Sequence, residues 1–437
     1  MSILLLVFAV AALILLITVV KLHPFLAFLM VCIVTGLGKS MEAGKLIASI
    51  QKGIGDVMGS LLVILILGAM LGKLVADSGA ANKIAQALIQ AFGTKHIQWA
   101  LVLTAFIVGI PLFYGVGFVL LVPLVIGIAA KYKLPAVYLG LPTLAALSVT
   151  HGYLPPHPSP VALSEQFHAD LGTTLFYGII IAIPAIIIAG PIFSVTLKKY
   201  TNAPLAIFSN KEIPDDQLPG LFASMMAAFL PVLLIGLDTL VKIWMPTNNA
   251  FTSIVHTLGD PSIAMLISLL MAIYTLGIKQ GKTIAKIMGP MGDAVKDISS
   301  ILLIIGGAGA LKQVLMDTGI SNDLVQPLVG LSIHPLLLAW GISAIIRVSV
   351  GSATVAGLTT AGIVAPLIVT TGVNPSLMVL ATGAGSLMFS HVNDPGFWMF
   401  KEYFNLSVKD TIRTWSIMET IVSVAGLIGV LIINYFI

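Results

Sequence analysis

The sequence predicts an all-α polytopic membrane protein, and its composition is the first reason. Of the 437 residues, 58% are hydrophobic and only 9% are charged, whereas about 25% of the residues of a typical globular protein are charged. The mean hydropathy is +1.06. We interpret the formal net charge of +4 as a topology signal rather than a nucleic-acid footprint. The expected surroundings are therefore the lipid bilayer, with no nucleic-acid partner.

The second reason is the recurrence of apolar runs along the chain. A spanning helix needs roughly 20 apolar residues, and ten runs reach or approach this length. They are 3–20, 24–37, 57–76, 137–149, 175–197, 221–244, 263–278, 298–316, 377–389 and 415–437. Two further runs, 99–130 and 336–369, contain Gly and Pro near their middles. Each of these is either two tight spans or one re-entrant hairpin, and with hairpins the sequence predicts about ten full spans plus two re-entrant hairpins.

Two proline-containing stretches interrupt the apolar runs. They are SVTHGYLPPHPSP at residues 148–160 and SHVNDPGFW at residues 390–398. Proline lacks an amide hydrogen and disfavours helix in the residue before it, so both stretches predict a broken helix. Lipid cannot satisfy the backbone groups that such a break exposes. Each break is therefore expected to face protein or a water-filled cavity.

An internal repeat relates the two halves of the chain. An ungapped offset of 240 residues pairs polar or structural residues rather than common apolar ones. The pairs include Asp77 with Asp317, Gly79 with Gly319, His151 with His391, Pro155 with Pro395 and Asp170 with Asp410. Asp170 and Asp410 are predicted N-caps. We divide the chain into N-terminal spans (1–55), a first repeat (56–197), a linker with connecting spans (198–295) and a second repeat (296–437).

The number of spans between the repeats predicts their relative orientation. Between Val57 and its counterpart lie five spans if 99–130 is a hairpin and seven if it crosses twice. Both numbers are odd, so the repeats are expected to be inverted. Inverted repeats of transporters place the binding site near the midplane, where broken helices meet. If both runs are hairpins, most Lys and Arg residues fall on one side of the membrane. The positive-inside rule identifies that side as cytoplasmic, and both termini are then expected outside.

The breaks supply the first candidate functional residues. An ionisable residue at membrane depth indicates function, with a structural helix contact as the alternative. We expect His151 and Asn393 to contact the substrate. His391 and Asp394 are expected to handle protons, because imidazole titrates near neutral pH and a buried carboxylate tends to hold its proton. For Asp394 the alternative is a salt bridge with Lys401 or a turn.

The second hairpin run supplies a candidate anion-binding tip. Gly351 permits close backbone approach, and amides beside the hydroxyls of Ser352 and Thr354 can hold an anion. The alternative is helix packing through small residues. Arg347 either offsets a carboxylate substrate or extends to the membrane surface, and Tyr114 of the first hairpin is a further expected substrate contact. The sequence contains no HExxH and no cysteine cluster, so no catalytic residue, metal or cofactor is expected.

Five stretches resemble the gluconate permease family of bacterial sugar-acid:proton symporters, whose branches include a D-serine transporter. They are GIPLFYGVGFVLLVPLV, THGYLPPHPSPVA, HADLGTTLFYG, RVSVGSATVAG and SHVNDPGFW, in the family's order. The resemblance implies paired re-entrant hairpins, with substrate contacts from both hairpins and both breaks. Two positions depart from it. Gly115 stands where gluconate-type members carry Glu, which brings this hairpin closer to the D-serine branch, and Pro395 stands where a small polar residue is expected.

We therefore expect a secondary active transporter, in the bacterial cytoplasmic membrane, that imports gluconate or a related small hydroxy-carboxylate with protons. Moving a lone monoanion into a negative interior costs about 2.3 kcal/mol per 100 mV, so uptake needs a co-transported cation. A transporter of D-serine or another small polar acid, a passive channel or uniporter, and sodium coupling stay open as alternatives. A membrane-embedded hydrolase lacks a nucleophile or metal signature. The substrate is an anionic or zwitterionic carboxylate, and a homo-oligomer is left open.

Overall fold

The structure is a computed structural model that describes residues 2–112, 114–201, 218–245, 249–320, 323 and 333–437. Throughout these ranges the regular elements are helices, without a strand, which confirms the all-α prediction. Within the same ranges six helices are long and apolar enough to cross a membrane, or eight if each of two bent helix pairs forms one span. The protein is thus a multi-pass helical membrane protein. The count of ten spans and the two re-entrant hairpins stay predictions.

The described helices are numbered here in chain order. In the first half they are α1 (Ser2–Thr18), α2 (Pro24–Gly38), α3 (Ala43–Asp77), α4 (Ala80–Phe92), α5 (Ile97–Gly109), α6 (Tyr114–Tyr132), α7 (Ala136–Tyr153), α8 (Pro158–Phe167) and α9 (Leu171–Ile187). In the second half they are α10 (Leu221–Trp244), α11 (Ala250–Gly259), α12 (Pro261–Ala272), α13 (Ile284–Asp317), α14 (Pro335–Val350), α15 (Ala353–Thr371), α16 (Pro375–Gly385), α17 (Pro395–Tyr403), α18 (Val408–Thr411) and α19 (Ile417–Phe436). A π-helical turn, Ile412–Ser416, joins α18 to α19.

Both predicted helix breaks are present. The first lies between Tyr153, where α7 ends, and Pro158, where α8 begins. The second lies between Gly385, where α16 ends, and Pro395, where α17 begins. Each new helix starts with proline because the first helical position needs no amide donor. The two hairpin runs each form two helices, α5 with α6 and α14 with α15, joined by residues 110–113 and 351–352; Phe113 lies outside the described residues.

One of the two predicted N-caps is confirmed and the other is wrong. The Asp170 carboxylate accepts a hydrogen bond from the Thr173 amide at 2.7 Å and caps α9. At α18 the cap is Ser407, whose hydroxyl accepts the Asp410 amide at 3.1 Å. Asp410 lies in the first turn instead, where a carboxylate suits the positive end of the helix.

Helix ends recur at the 240-residue offset. The two longest helices, α3 and α13, have 35 and 34 residues. They end at Asp77 and Asp317, which are 240 positions apart (317 − 77). Each is followed two residues later by a left-handed glycine, Gly79 with φ 80° and Gly319 with φ 73°. The predicted domain boundaries at 55/56 and 295/296 fall inside these two helices. Residues 202–217 of the predicted linker with connecting spans (198–295) lie outside the described residues.

The long helices α3 and α13 pack side by side in opposite directions. Near the start of α3, the Ser49 hydroxyl donates to the Asp317 carboxylate at the end of α13, at 2.6 Å. Further along, Gly53 and Gly309 meet so closely that a Cβ on either would overlap the backbone carbonyl of the other. Close backbone approach through glycine is a common way for membrane helices to associate. This contact joins the two halves at their centre.

Candidate functional site

In the first half, a histidine ties the break to the neighbouring hairpin helix. The ring Nε2 of His157 is 2.7 Å from the carbonyl oxygen of Gly109, the last residue of α5. A carbonyl only accepts, so Nε2 carries the hydrogen and donates. The bond satisfies a carbonyl at a helix end, which has no partner within its own helix. From the sequence, His157 stayed open between a loop residue and a functional one.

The second half makes the equivalent connection with different residues. His391 Nε2 and Asn393 Nδ2 donate to the Val348 carbonyl oxygen at 2.9 and 2.7 Å. Asn393 Nδ2 also lies 3.4 Å from the Ser349 carbonyl oxygen. Ser349 is 240 positions after Gly109, so the break is held to the corresponding part of the hairpin in each half.

An ion pair strengthens this connection in the second half. The Arg347 side chain is 5% exposed, and its guanidinium pairs with the Asp394 carboxylate and donates to the Gly351 carbonyl. Asp394 also accepts from the Ser390 hydroxyl at 2.5 Å. Of the alternatives considered from the sequence, the turn at Asp394 does occur, because its carboxylate accepts the Gly396 amide at 2.8 Å at the start of α17, whereas the other two do not. Arg347 does not extend to the surface, and Lys401 pairs with its neighbour Glu402 at 2.7 Å rather than with Asp394.

The tip between α14 and α15 requires glycine. Gly351 has φ 81°, a left-handed conformation that side chains rarely adopt. A Cβ there would also overlap the Asn393 carbonyl. Ser352 caps α15 by accepting from the Val355 amide at 3.3 Å. Thr354 is half-buried in the first turn of the same helix, so the tip lies directly against the second break.

Aromatic rings connect the first half to this tip and break. The ring centroids of Tyr114 and His151 are 5.6 Å apart, and those of His151 and His157 are 5.3 Å apart. On its other side Tyr114 approaches Trp415, with centroids 6.4 Å apart. Trp415 Nε1 donates to the Ser390 hydroxyl at 2.8 Å, and Ser390 is the residue that donates to Asp394. Tyr114 and His151 are therefore brought next to the Arg347–Asp394 pair, within electrostatic range of both charges.

Several buried polar atoms at this meeting point have no hydrogen-bond partner. Buried polar atoms are nearly always paired, so this group of orphans makes the meeting point a candidate binding site for a polar ligand. The orphaned atoms here are Tyr114 Oη, His151 Nδ1, Arg347 Nε, Asn393 Oδ1 and Glu419 Oε2. Those of Tyr114, His151, Arg347 and Asn393 offer both donors and acceptors, as recognition of a hydroxylated carboxylate requires. Glu419 Oε2 is a carboxyl oxygen beside them, and we do not count it among the substrate contacts.

Sequence analysis missed one member of this group. Glu419 lies in α19 and is 2% exposed. It is the only charged residue in the apolar run 415–437, and an acidic residue in a spanning segment is itself a functional signal. That signal was available from the sequence. The partner, Ser148 on α7, was not, because 271 residues separate the two.

A cavity of about 230 Å³ lies elsewhere, among α3, the α8–α9 turn, α10 and α11. Its polar lining includes Glu165, Asp170, Asp238 and Lys242. Lys242 Nζ is 2.8 Å from Asp238 and 3.7 Å from Asp170, and Asp238 also pairs with His256 Nδ1 at 2.5 Å. None of the sequence-predicted site residues lines this cavity.

Solved structures of other proteins share this fold. The transporter YdaH of Alcanivorax borkumensis aligns with a TM-score of 0.68 at 15% identity, over 94% of this chain and 98% of that one. MtrF of Neisseria gonorrhoeae aligns with a TM-score of 0.66 at 15% identity, over 89% of this chain and 84% of that one. At such low identity the likeness concerns the fold alone.

Sequence relatives are much closer. The chain is 48% identical to the high-affinity gluconate transporter of Escherichia coli K12 over 415 residues, which is 95% of each chain. It is 48% identical to the Gnt-II system L-idonate transporter of the same organism over 426 residues, 97% of each. It is 44% identical to the gluconate permease of Bacillus subtilis 168 over 445 aligned residues, 99% of each.

These relatives are transporters and permeases, which confirms that the protein is not an enzyme. They give the D-serine alternative no support, whereas the resemblance to gluconate permeases is confirmed. The family model for GntP family permeases matches residues 1–436. The chain belongs to the GntP permease family.

Proposed function

We propose that the protein is a secondary active transporter that imports gluconate, or a related small hydroxy-carboxylate, by proton symport. The observation that carries the proposal is the set of orphaned polar atoms around the Arg347–Asp394 pair. Relatives at 44–48% identity are named for gluconate and L-idonate, which supports a sugar acid as the substrate class. Proton coupling is supported by the charge argument, because an anion entering a negative interior needs a cation with it.

In the proposed site the substrate lies between the two breaks and the two tips. Arg347 faces the substrate carboxylate, with the Gly351–Ser352 tip and Thr354 beside it. Tyr114, His151 and Asn393 each have an unpaired polar atom with which to bind hydroxyl groups. Proton handling at His391 and Asp394 stays a prediction.

The proposed architecture has about ten full spans and two re-entrant hairpins, α5–α6 and α14–α15, in two inverted repeats (56–197 and 296–437). The N-terminal spans (1–55) and the linker with connecting spans (198–295) complete it. The antiparallel packing of α3 and α13, which end 240 residues apart, supports the inversion. The proposed location is the bacterial cytoplasmic membrane with both termini outside.

Uptake of labelled gluconate into proteoliposomes tests the function. We expect accumulation above the external concentration when the lumen is more alkaline than the bath, with competition by L-idonate and none by D-serine. An imposed sodium gradient at equal pH should drive no accumulation. Uptake that only equilibrates, whatever the gradient, would instead identify a uniporter. Accumulation that follows sodium would show that the coupling ion is misassigned.

A further inference from the structure

The carboxyl group of Glu419 is buried and only half satisfied. Its side chain lies in α19, 2% exposed. One oxygen, Oε1, accepts from the Ser148 hydroxyl at 2.5 Å. The other, Oε2, is buried and has no partner. At the repeat-equivalent position, 240 residues earlier, stands Ile179, so this carboxyl belongs to the second half alone.

No cation neutralises Glu419 in the described part of the chain. The charged and titratable groups in electrostatic range are Arg347 on α14, Asp394 at the start of α17, Tyr114 on α6 and Tyr153 on α7. Arg347 is already paired with Asp394. Tyr153 is likewise engaged, since its hydroxyl donates to the Val422 carbonyl. Among these groups, Tyr114 Oη and Arg347 Nε have no hydrogen-bond partner.

Glu419 differs from Asp394 in the donors that surround it. Asp394 is held by Arg347, by Ser390 and by the Gly396 amide at 2.8 Å, and such donors stabilise the ionised form. Glu419 has one neutral donor, the Ser148 hydroxyl, and its other carboxyl oxygen is buried without a partner. An unpaired charge buried in this way costs far more than a neutral polar group. The surroundings therefore favour a protonated carboxyl at Glu419 and an ionised one at Asp394.

We propose that Glu419, rather than the sequence-predicted His391 or Asp394, binds and releases the co-transported proton; this inference rests on the proposed function. A hydronium ion on the outside gives its proton to Oε2: one hydronium O–H bond breaks and leaves water, and the new O–H bond at Oε2 forms while the substrate anion occupies the adjacent site. When the site opens to the cytoplasm, this O–H bond breaks and the proton passes to cytoplasmic water. One anion and one proton cross together, so the step moves no net charge.

The test separates coupling from binding in proteoliposomes. Glu419→Gln keeps the shape and hydrogen-bonding capacity of the side chain but cannot exchange a proton. We expect this variant to exchange labelled for unlabelled gluconate at equal pH within about threefold of wild type. It should lose accumulation under a pH gradient, falling to the external concentration. The control is Glu42→Gln, an exposed glutamate paired with Lys45, which should accumulate gluconate as wild type does.

Three outcomes overturn the assignment or its basis. Accumulation by Glu419→Gln equal to wild type shows that another group carries the proton. Loss of exchange together with accumulation assigns Glu419 to substrate binding or folding rather than to coupling. Failure of wild type itself to respond to the pH gradient refutes the proposed function, and this result is distinguishable because it does not depend on the variant.

A second variant keeps the proposal testable if Glu419→Gln does not fold. Ser148→Ala removes the donor to Oε1 and so makes the ionised carboxylate less favourable. A hydrogen bond to a charged group corresponds to a shift of about one to two pH units. We expect the pH dependence of uptake to move toward alkaline pH by this amount. A Glu419 with a purely structural role would leave the pH profile unmoved.

Discussion

Removing the Asp394 charge isolates the energetic role of the Arg347–Asp394 pair. Asp394→Asn leaves the guanidinium, which is 5% exposed, without its carboxylate. Breaking a buried ion pair from one side costs about 3–5 kcal/mol. Unfolding entropy of ~2.1 cal/mol/K per residue over 437 residues gives ~0.9 kcal/mol/K. We therefore expect the apparent melting temperature to fall by about 3–5 °C.

The assay is thermal unfolding of the purified protein in detergent, with two comparisons. The matched control is Asp293→Asn, because Asp293 pairs with Lys296 at 3.0 Å with side chains 67% and 80% exposed, and exposed pairs contribute at most about 1 kcal/mol. The double variant Arg347→Met with Asp394→Asn removes both charges and should recover most of the loss. A single variant that melts within about 1 °C of the Asp293→Asn control would refute the reasoning.

Three further predictions follow from other contacts. Gly351→Ala should abolish gluconate uptake, because it strains φ and overlaps the Asn393 carbonyl, whereas Gly341→Ala, with open space around it, should transport normally in the same vesicle assay. Gly53→Ala should lower the melting temperature, because the added methyl group would push α3 away from α13. Gly55→Ala should leave the melting temperature unchanged, because a Cβ at Gly55 would have no other atom within 4 Å. Equal melting temperatures for the two variants would contradict the packing argument. Symport of one proton with one anion moves no net charge, so the pH gradient alone drives it. We therefore expect gluconate to accumulate by at most about tenfold per pH unit, and a potassium diffusion potential should not change this accumulation. A clear response to that potential would exclude this stoichiometry.

The sequence predicted the parts of the fold that are encoded locally. Composition and apolar runs predicted an all-α membrane protein. The proline-rich stretches predicted both helix breaks, because the missing amide of proline acts on its own neighbours. The prediction at Asp410 was wrong because two residues nearby, Ser407 and Asp410, both favour a helix start, and the serine hydroxyl reaches the free amide.

The site was only partly predictable, because its contacts join residues far apart in the chain. His151, Arg347, Asn393 and Asp394 could be proposed from their positions near the breaks and the hairpin tip. Which charge pairs with which could not, since Arg347 and Asp394 are 47 residues apart. Glu419 had a signal in the sequence, but its importance depends on having no cation paired with it among the described residues, since Arg347 pairs with Asp394 instead, and only the packed structure reveals this.

The attachment of each break to its own hairpin has a mechanical consequence. His157 bonds the carbonyl of Gly109 in one half, while His391 and Asn393 bond that of Val348 in the other. We therefore expect each hairpin to move together with its break, and we expect the contact in the second half, which includes the Arg347–Asp394 ion pair, to resist separation more strongly. If the two halves separate from their hairpins during transport, we expect the first-half contact, held by the single His157–Gly109 hydrogen bond, to separate before the second-half contact.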